Sequence, residues 1–155
     1  VADHRALQIL AALVSNIGTS TSAGTNVYRN PGRQLPDSAD LAIAVAYGSD
    51  SEPDYNSSTA DSWLTVFVDL LARDQQPLER ESGAVPDYEA ALLGLRKEVH
   101  INIMSDITQG LAFVIDTESQ GAGEIDYGPD AEHVLATMRT VWRIKYRTSV
   151  GDPSQ

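Results

Sequence analysis

From Thr137 to Thr148 the chain alternates without a break. Met138, Thr140, Trp142, Ile144 and Tyr146 fall on one parity, and Arg139, Val141, Arg143, Lys145 and Arg147 on the other. A period of two is the period of a strand, so the stretch reads as a β-strand with one packed face and one basic face. No other segment constrains the fold as strongly. A strand needs neighbours for its backbone, and an apolar face needs a second layer to cover it. The alternation also sorts charge. The chain carries 22 Asp and Glu against 11 Lys and Arg, a formal net charge of −11, yet Arg139, Arg143, Lys145 and Arg147 share this one face. A cationic strip on an anionic body suits pairing with an acidic surface, including one on an identical neighbour. A solvated outer sheet face is the competing reading.

Working outward from this strand, the remaining elements follow. Asp3 to Ile17 reads as an amphipathic helix with Leu7, Leu10, Val14 and Ile17 on one face, Asp3 as its cap, and Gly18 as its stop. Gly18 to Gly24 is small and polar, hence a loop, and Asn26 to Arg29 suits a short strand closed by Asn30-Pro31-Gly32. Leu41 to Tyr47 is apolar on both parities, the pattern of a well-covered strand. Asp61 to Ala72, with Trp63, Val66, Phe67 and Val68, is a second strand. The Ser-, Asp- and Pro-rich stretch from Gly48 to Ala60 then joins them as a long antiparallel hairpin. Asp87 to Ile103 is a second helix, capped by Asp87, with Tyr88, Leu92, Leu95, Val99 and Ile103 as its stripe. Gly94 inside it points to close packing. Thr117 to Tyr127 reads as a strand bulged at Gly121-Ala122-Gly123, and Gly128-Pro129-Asp130 as a turn. Gly110 to Ile115 is assigned to neither class.

The expected fold is therefore α+β: a mostly antiparallel sheet with two helices packed on one face, and long loops. One domain spans residues 1–150, and residues 151–155 form a flexible tail. Ser49 to Thr59 and Gln75 to Val85 carry few apolar anchors, so they are expected to order only against a partner. No apolar run approaches the length of a spanning helix, so no membrane crossing is expected. The first residues already read as helix, so no signal peptide is expected.

The chain has no cysteine, which removes disulfides, thiolate metal sites and cysteine nucleophiles. It has no Walker loop, GxGxxG, HExxH or GxSxG motif. The three histidines, His4, His100 and His133, show no ligand spacing. Asp116 and Glu118 share a face if their segment is extended, which is the one carboxylate pair worth testing, with His133 as a conceivable third group. Asp50, Glu52, Asp54 and Asp61 resemble a calcium loop in composition only, without EF-hand spacing. No catalytic residue, cofactor or metal is expected. The acidic balance argues against a sequence-reading nucleic-acid binder, though not against a channel that nucleic acid traverses without sticking.

Order and wording together resemble the tail terminators of long-tailed bacteriophages, the family of the lambda minor tail protein U. The resemblance rests on five stretches: Arg5-Ala6-Leu7-Gln8-Ile9-Leu10; Leu41 to Tyr47; Asp61-Ser62-Trp63-Leu64; the helix from Pro86-Asp87 into Ile103-Met104-Ser105-Asp106-Ile107; and Trp142-Arg143-Ile144-Lys145-Tyr146. It implies a virion protein assembled in the bacterial host cytoplasm. Six copies form a ring that caps the tail tube, ends its polymerisation, and meets the head-side neck connector while DNA passes through the centre. On that reading Arg139, Arg143, Lys145 and Arg147 meet Asp50, Glu52 and Asp54 of the next subunit, a head-to-tail contact. Another neck or head-completion protein, or a tube subunit, remains the alternative. A small hydrolase or ligand-binding domain using Asp116, Glu118 and His133 is the alternative of a different class.

Overall fold

The computed structural model describes residues 3–29, 39–51, 53–73, 87–130 and 133–155, the side chains at 129, 130 and 133 excepted. Eight elements occur in the order α1 (Arg5–Gly18), β1 (Val27–Arg29), β2 (Leu41–Asp50), β3 (Asp54–Tyr55), β4 (Thr59–Arg73), α2 (Tyr88–Ser105), β5 (Val114–Asp130) and β6 (His133–Ser149). The strands form one sheet in the order β1-β2-β4-β6-β5, with β3 pairing onto β4. Every pairing is antiparallel except β1 with β2. This is the α+β fold that the sequence implies.

The alternating strand lies inside β6, and its apolar parity is sealed. Met138, Thr140, Trp142, Ile144 and Tyr146 are each no more than 4% exposed. They meet Leu64, Val66, Val68 and Leu70 of β4 and Ile43 and Val45 of β2 in one core beneath the helices. Removing each such large side chain from water contributes about 1.5–3 kcal/mol. Two buried polar side chains of β6 are satisfied within the layer. Trp142 Nε1–H donates to Thr140 Oγ1 at 3.1 Å, and Thr140 Oγ1–H donates to the Val68 carbonyl at 2.8 Å.

Both helices lie on this same face. Helix α2 follows the expected stripe, with Leu92, Leu95, Val99 and Ile103 no more than 2% exposed. Asp87 caps it by accepting from the Ala90 N–H at 2.9 Å. Helix α1 differs in detail. Its cap is His4, whose Nδ1 accepts from the Ala6 N–H at 3.1 Å, and not Asp3. Its buried stripe is Ala6, Ile9, Leu10, Leu13 and Ile17, while Leu7 stays 41% exposed. The helix is rotated from the expected face because Ile9 and Leu13 offer a wider apolar arc than Leu7 and Val14. Gly94 marks no close approach, since a Cβ there would meet nothing within 4 Å.

Other boundaries also shift. Ser49 and Asp50 belong to β2, Asp54 and Tyr55 form β3, and Thr59 opens β4. The Ser51 N–H donates to the Trp63 carbonyl at 2.9 Å, and Asn56 Oδ1 accepts from the N–H groups of Ser58 and Thr59. The described part of 49–59 is thus held by its own sheet, without a partner. The expected turn at 30–32, the loop at 75–85 and Glu52 lie outside the described residues. Gly128 is strand and not turn, because pairing runs on to Asp130↔His133. Strand β5 carries the expected bulging, with register shifts on both sides of Ala122 and Gly121 at φ +91°. The last five residues turn back toward the sheet and α1: the Arg5 N–H donates to the Pro153 carbonyl at 3.0 Å, and Ser149 bridges Asp152. Among the described residues no helix is long and apolar enough to cross a membrane.

Candidate interaction surfaces

The helices cover one face of the sheet. On the other face, β6 presents the basic parity against the odd-numbered residues of β4. Two of the four cations form forked ion pairs there. Arg139 Nε and Nη2 donate to Asp69 at 2.8 and 3.0 Å, and Arg147 Nε and Nη2 donate to Asp61 at 2.7 and 2.9 Å. Between them, the Arg143 guanidinium sits 4.5 Å from the centre of the Trp63 ring and the Lys145 ammonium 5.8 Å from it. Arg139 also covers Phe67, at 4.3 Å. From the opposite flank, β5 sets Glu118 in register with Arg143 and Asp116 with Lys145.

Each cation therefore has a carboxylate across one of the two neighbouring strands. The basic face is expected to engage carboxylates with at least two of its four cations, with an adjacent subunit as the favoured source. Two do contact carboxylates, and both come from the same chain. Hydrogen bonds from Arg147 hold the Asp61 carboxyl below the usual carboxylate range, outweighing the opposing effect of burial. Those bonds also raise the guanidinium pKa of Arg147, and the bonds to Asp69 raise that of Arg139. These rows were legible in the sequence once the strands were paired. Asp61 and Asp69 are spaced like Arg139 and Arg147, eight residues each (69 − 61 and 147 − 139).

Of the acidic group, Asp50 and Asp54 do not form a surface segregated from this strip, and Glu52 lies outside the described residues. Asp54 pairs with Asp61 across β3 and β4, so it belongs to the row that ends at Arg147. Asp50 faces the other way, into the helix side. Its carboxylate accepts from the Tyr146 hydroxyl at 3.1 Å and the Tyr47 hydroxyl at 3.3 Å. Burial, then the charge of Asp50, raises the pKa of both phenols. Nothing in the sequence pattern announced this trio.

Next to it, a notch of about 920 Å³ wraps the edge of β2. His4, Leu7 and Leu10 of α1, Arg29 at the end of β1, Tyr47 and Asp50 line its helix side, and Phe67 and Arg139 its open side. The notch exists because β1 pairs with β2 only as far as Arg29↔Val45. From Ala46 to Asp50 the outer backbone edge of β2 has no partner strand among the described residues.

The groups considered for chemistry are not assembled. Asp116 and Glu118 do share a face, but they face Lys145 and Arg143. His133 stands at the far end of the β5–β6 hairpin, roughly 30 Å from Arg143 at ~3.3 Å per residue. Among the described residues, no three His, Asp or Glu side chains gather as a metal site. No protein-family model and no curated protein matches the chain.

Proposed function

We propose that the chain is a structural, ring-forming part of the tail of a long-tailed bacteriophage: a tail terminator. Six copies close on the finished tube, stop its polymerisation and present a surface to the head-side connector. DNA passes through the middle without sequence-specific contact. The protein acts in the virion after assembly in the host cytoplasm, and its work is done by surfaces rather than by a reaction centre.

The observation that carries this reading is the inequality of the two sheet edges. One edge is short and notched, where β1 ends at Arg29 and no other strand among the described residues pairs with that edge of β2 from Ala46 to Asp50; the other is the 17-residue strand β5. A subunit with two different, complementary patches assembles head to tail, and such a contact closes into a ring when the rotation fits. The resemblance of the sequence to tail terminators supplies the kind of ring.

Particle mass tests it, on tube ends or at high concentration in solution. A six-subunit particle that caps tubes is the expected result. A two-fold dimer as the sole assembled state overturns the ring. Unlimited filaments would make the chain a tube subunit instead.

A further inference from the structure

We infer that the bare edge of β2 receives the β5 edge of a second copy, so that the sheet continues from subunit to subunit; this rests on the ring reading and names its joint. Three observations lead there. The first is backbone: Ala46 to Asp50 offers an extended ladder with no partner strand among the described residues, about 17 Å long at the usual rise. Such edges pair with another strand unless they are covered.

The second is the lining. On the helix side, Leu7 is 41% and Tyr47 54% exposed, large apolar surface beside a bare edge. Arg29 closes the end of the notch, exposed and without an ion pair among the described residues. On the open side, Arg139 spends Nε and Nη2 on Asp69, and its Nη1 has no bond among the described residues. Arg139 is already paired with Asp69, and the Asp50 carboxylate is held by two tyrosine hydroxyls, so Arg29 is the cation that favours an anionic, extended occupant on a chain of net charge −11.

The third is the other edge. From within its last bulge toward the hairpin end, β5 reads Glu124-Ile125-Asp126-Tyr127-Gly128. Register puts Ile125 and Tyr127 on the helix side, opposite Met138 and Ala136, and Asp126 on the open side. Glu124 and Asp126 are exposed and have no ion pair among the described residues, and Tyr127 is 56% exposed. Apolar side meets apolar side, and Asp126 lies on the same side as Arg139.

Disulfide trapping tests the joint without background, because the chain has no cysteine. Ser49→Cys is combined with Gly128→Cys in one chain and with Gly123→Cys in another. A Cβ at Gly128 meets nothing within 4 Å, and one at Gly123 only the Arg139 carbonyl at 3.9 Å, so both are tolerated. On oxidation of the assembled full chain, at least one double variant should give a ladder of linked chains extending beyond the dimer, while single variants should not. Arg29→Glu, and Glu124→Lys with Asp126→Lys, should each raise the concentration needed for assembly by about tenfold or more. A six-subunit particle with no ladder and no effect of charge reversal overturns the joint and leaves the ring. A ladder within filaments upholds the joint and overturns the ring. Monomers that neither link nor cap tubes overturn both.

Discussion

Tyr47 and Asp50 stand three residues apart in β2 and yet lie on the same face of the sheet, with the Tyr47 hydroxyl donating to Asp50 at 3.3 Å. In a regular strand, residues three apart point to opposite faces. The register shift between Tyr47 and Ser49 restores the match, and Gly48 is the residue absorbed there. Gly48 packs so tightly that a Cβ would sit 2.8 Å from the Thr65 carbonyl and 3.2 Å from the Phe67 ring.

Gly48→Ala should therefore cost about 1–3 kcal/mol, the range for forcing atoms into a packed site. Equilibrium urea unfolding measures it. A change below a few tenths of a kcal/mol would show that the bulge does not depend on the missing side chain.

The Asp61–Arg147 pair should appear in the acid limb of stability. The folded pKa of Asp61 is depressed, so its contribution is present above the unfolded carboxylate value, near 3.9, and is lost as pH falls through the folded value. Unfolding midpoints from pH 7 down to pH 2 should decline less steeply for Asp61→Asn than for the parent chain. Identical slopes would leave the pair without a role in acid stability.

Charge reversal along β6 should not act uniformly. Arg147→Glu faces Asp61 with a like charge and should destabilise the subunit itself. Arg143→Ala should cost only about 0.5–1 kcal/mol, the size of an exposed cation–π contact. Thermal unfolding of the two variants in low and high salt checks this. The Arg147→Glu penalty should shrink with screening.

Thr140 is the acceptor for Trp142 Nε1 in the core, and it donates onward to Val68. Thr140→Val keeps the shape and removes the hydroxyl, leaving the indole N–H without an acceptor at about 1–3 kcal/mol. Thr140→Ser should retain most of the stability. Equal losses for the two would assign the cost to packing instead.

His4→Ala should destabilise by about 1 kcal/mol, the usual cost of a lost N-cap. His4→Asp should equal or exceed the parent, since it restores an acceptor and adds a favourable charge at the helix N-terminus. A calorimetric melt of each variant decides the order.

Strict periodicity was the part of the fold that could be read in advance. Both parities of β6, the stripe of α2 with its Asp87 cap, and the bulged β5 follow from local spacing alone. The misreadings have local causes too. Asp3 and His4 are both able to accept a bond at the start of α1, and only the backbone path selects His4. Gly128-Pro129 looks like a turn, but the ladder to β6 outlasts it. The destination of each surface charge was the harder problem. An alternating strand shows that Arg139 and Arg147 share a face, but not that β4 brings Asp69 and Asp61 to them. The trio at Asp50 needed a register shift that a single glycine leaves unmarked in sequence. The notch is the space beyond the end of β1 along the edge of β2, and such a space has no residue pattern of its own.

The two tryptophans divide the molecule optically. Trp142 lies 3% exposed in the core, whereas Trp63 lies on the open face beneath Arg143 and Lys145. An anionic quencher such as iodide should be drawn to the second by those cations and be shut out from the first. With Trp142→Phe or Trp63→Phe, the emission of the remaining indole becomes a private channel. One reports melting of the interior, and the other whatever comes to rest on the side of the sheet away from the helices.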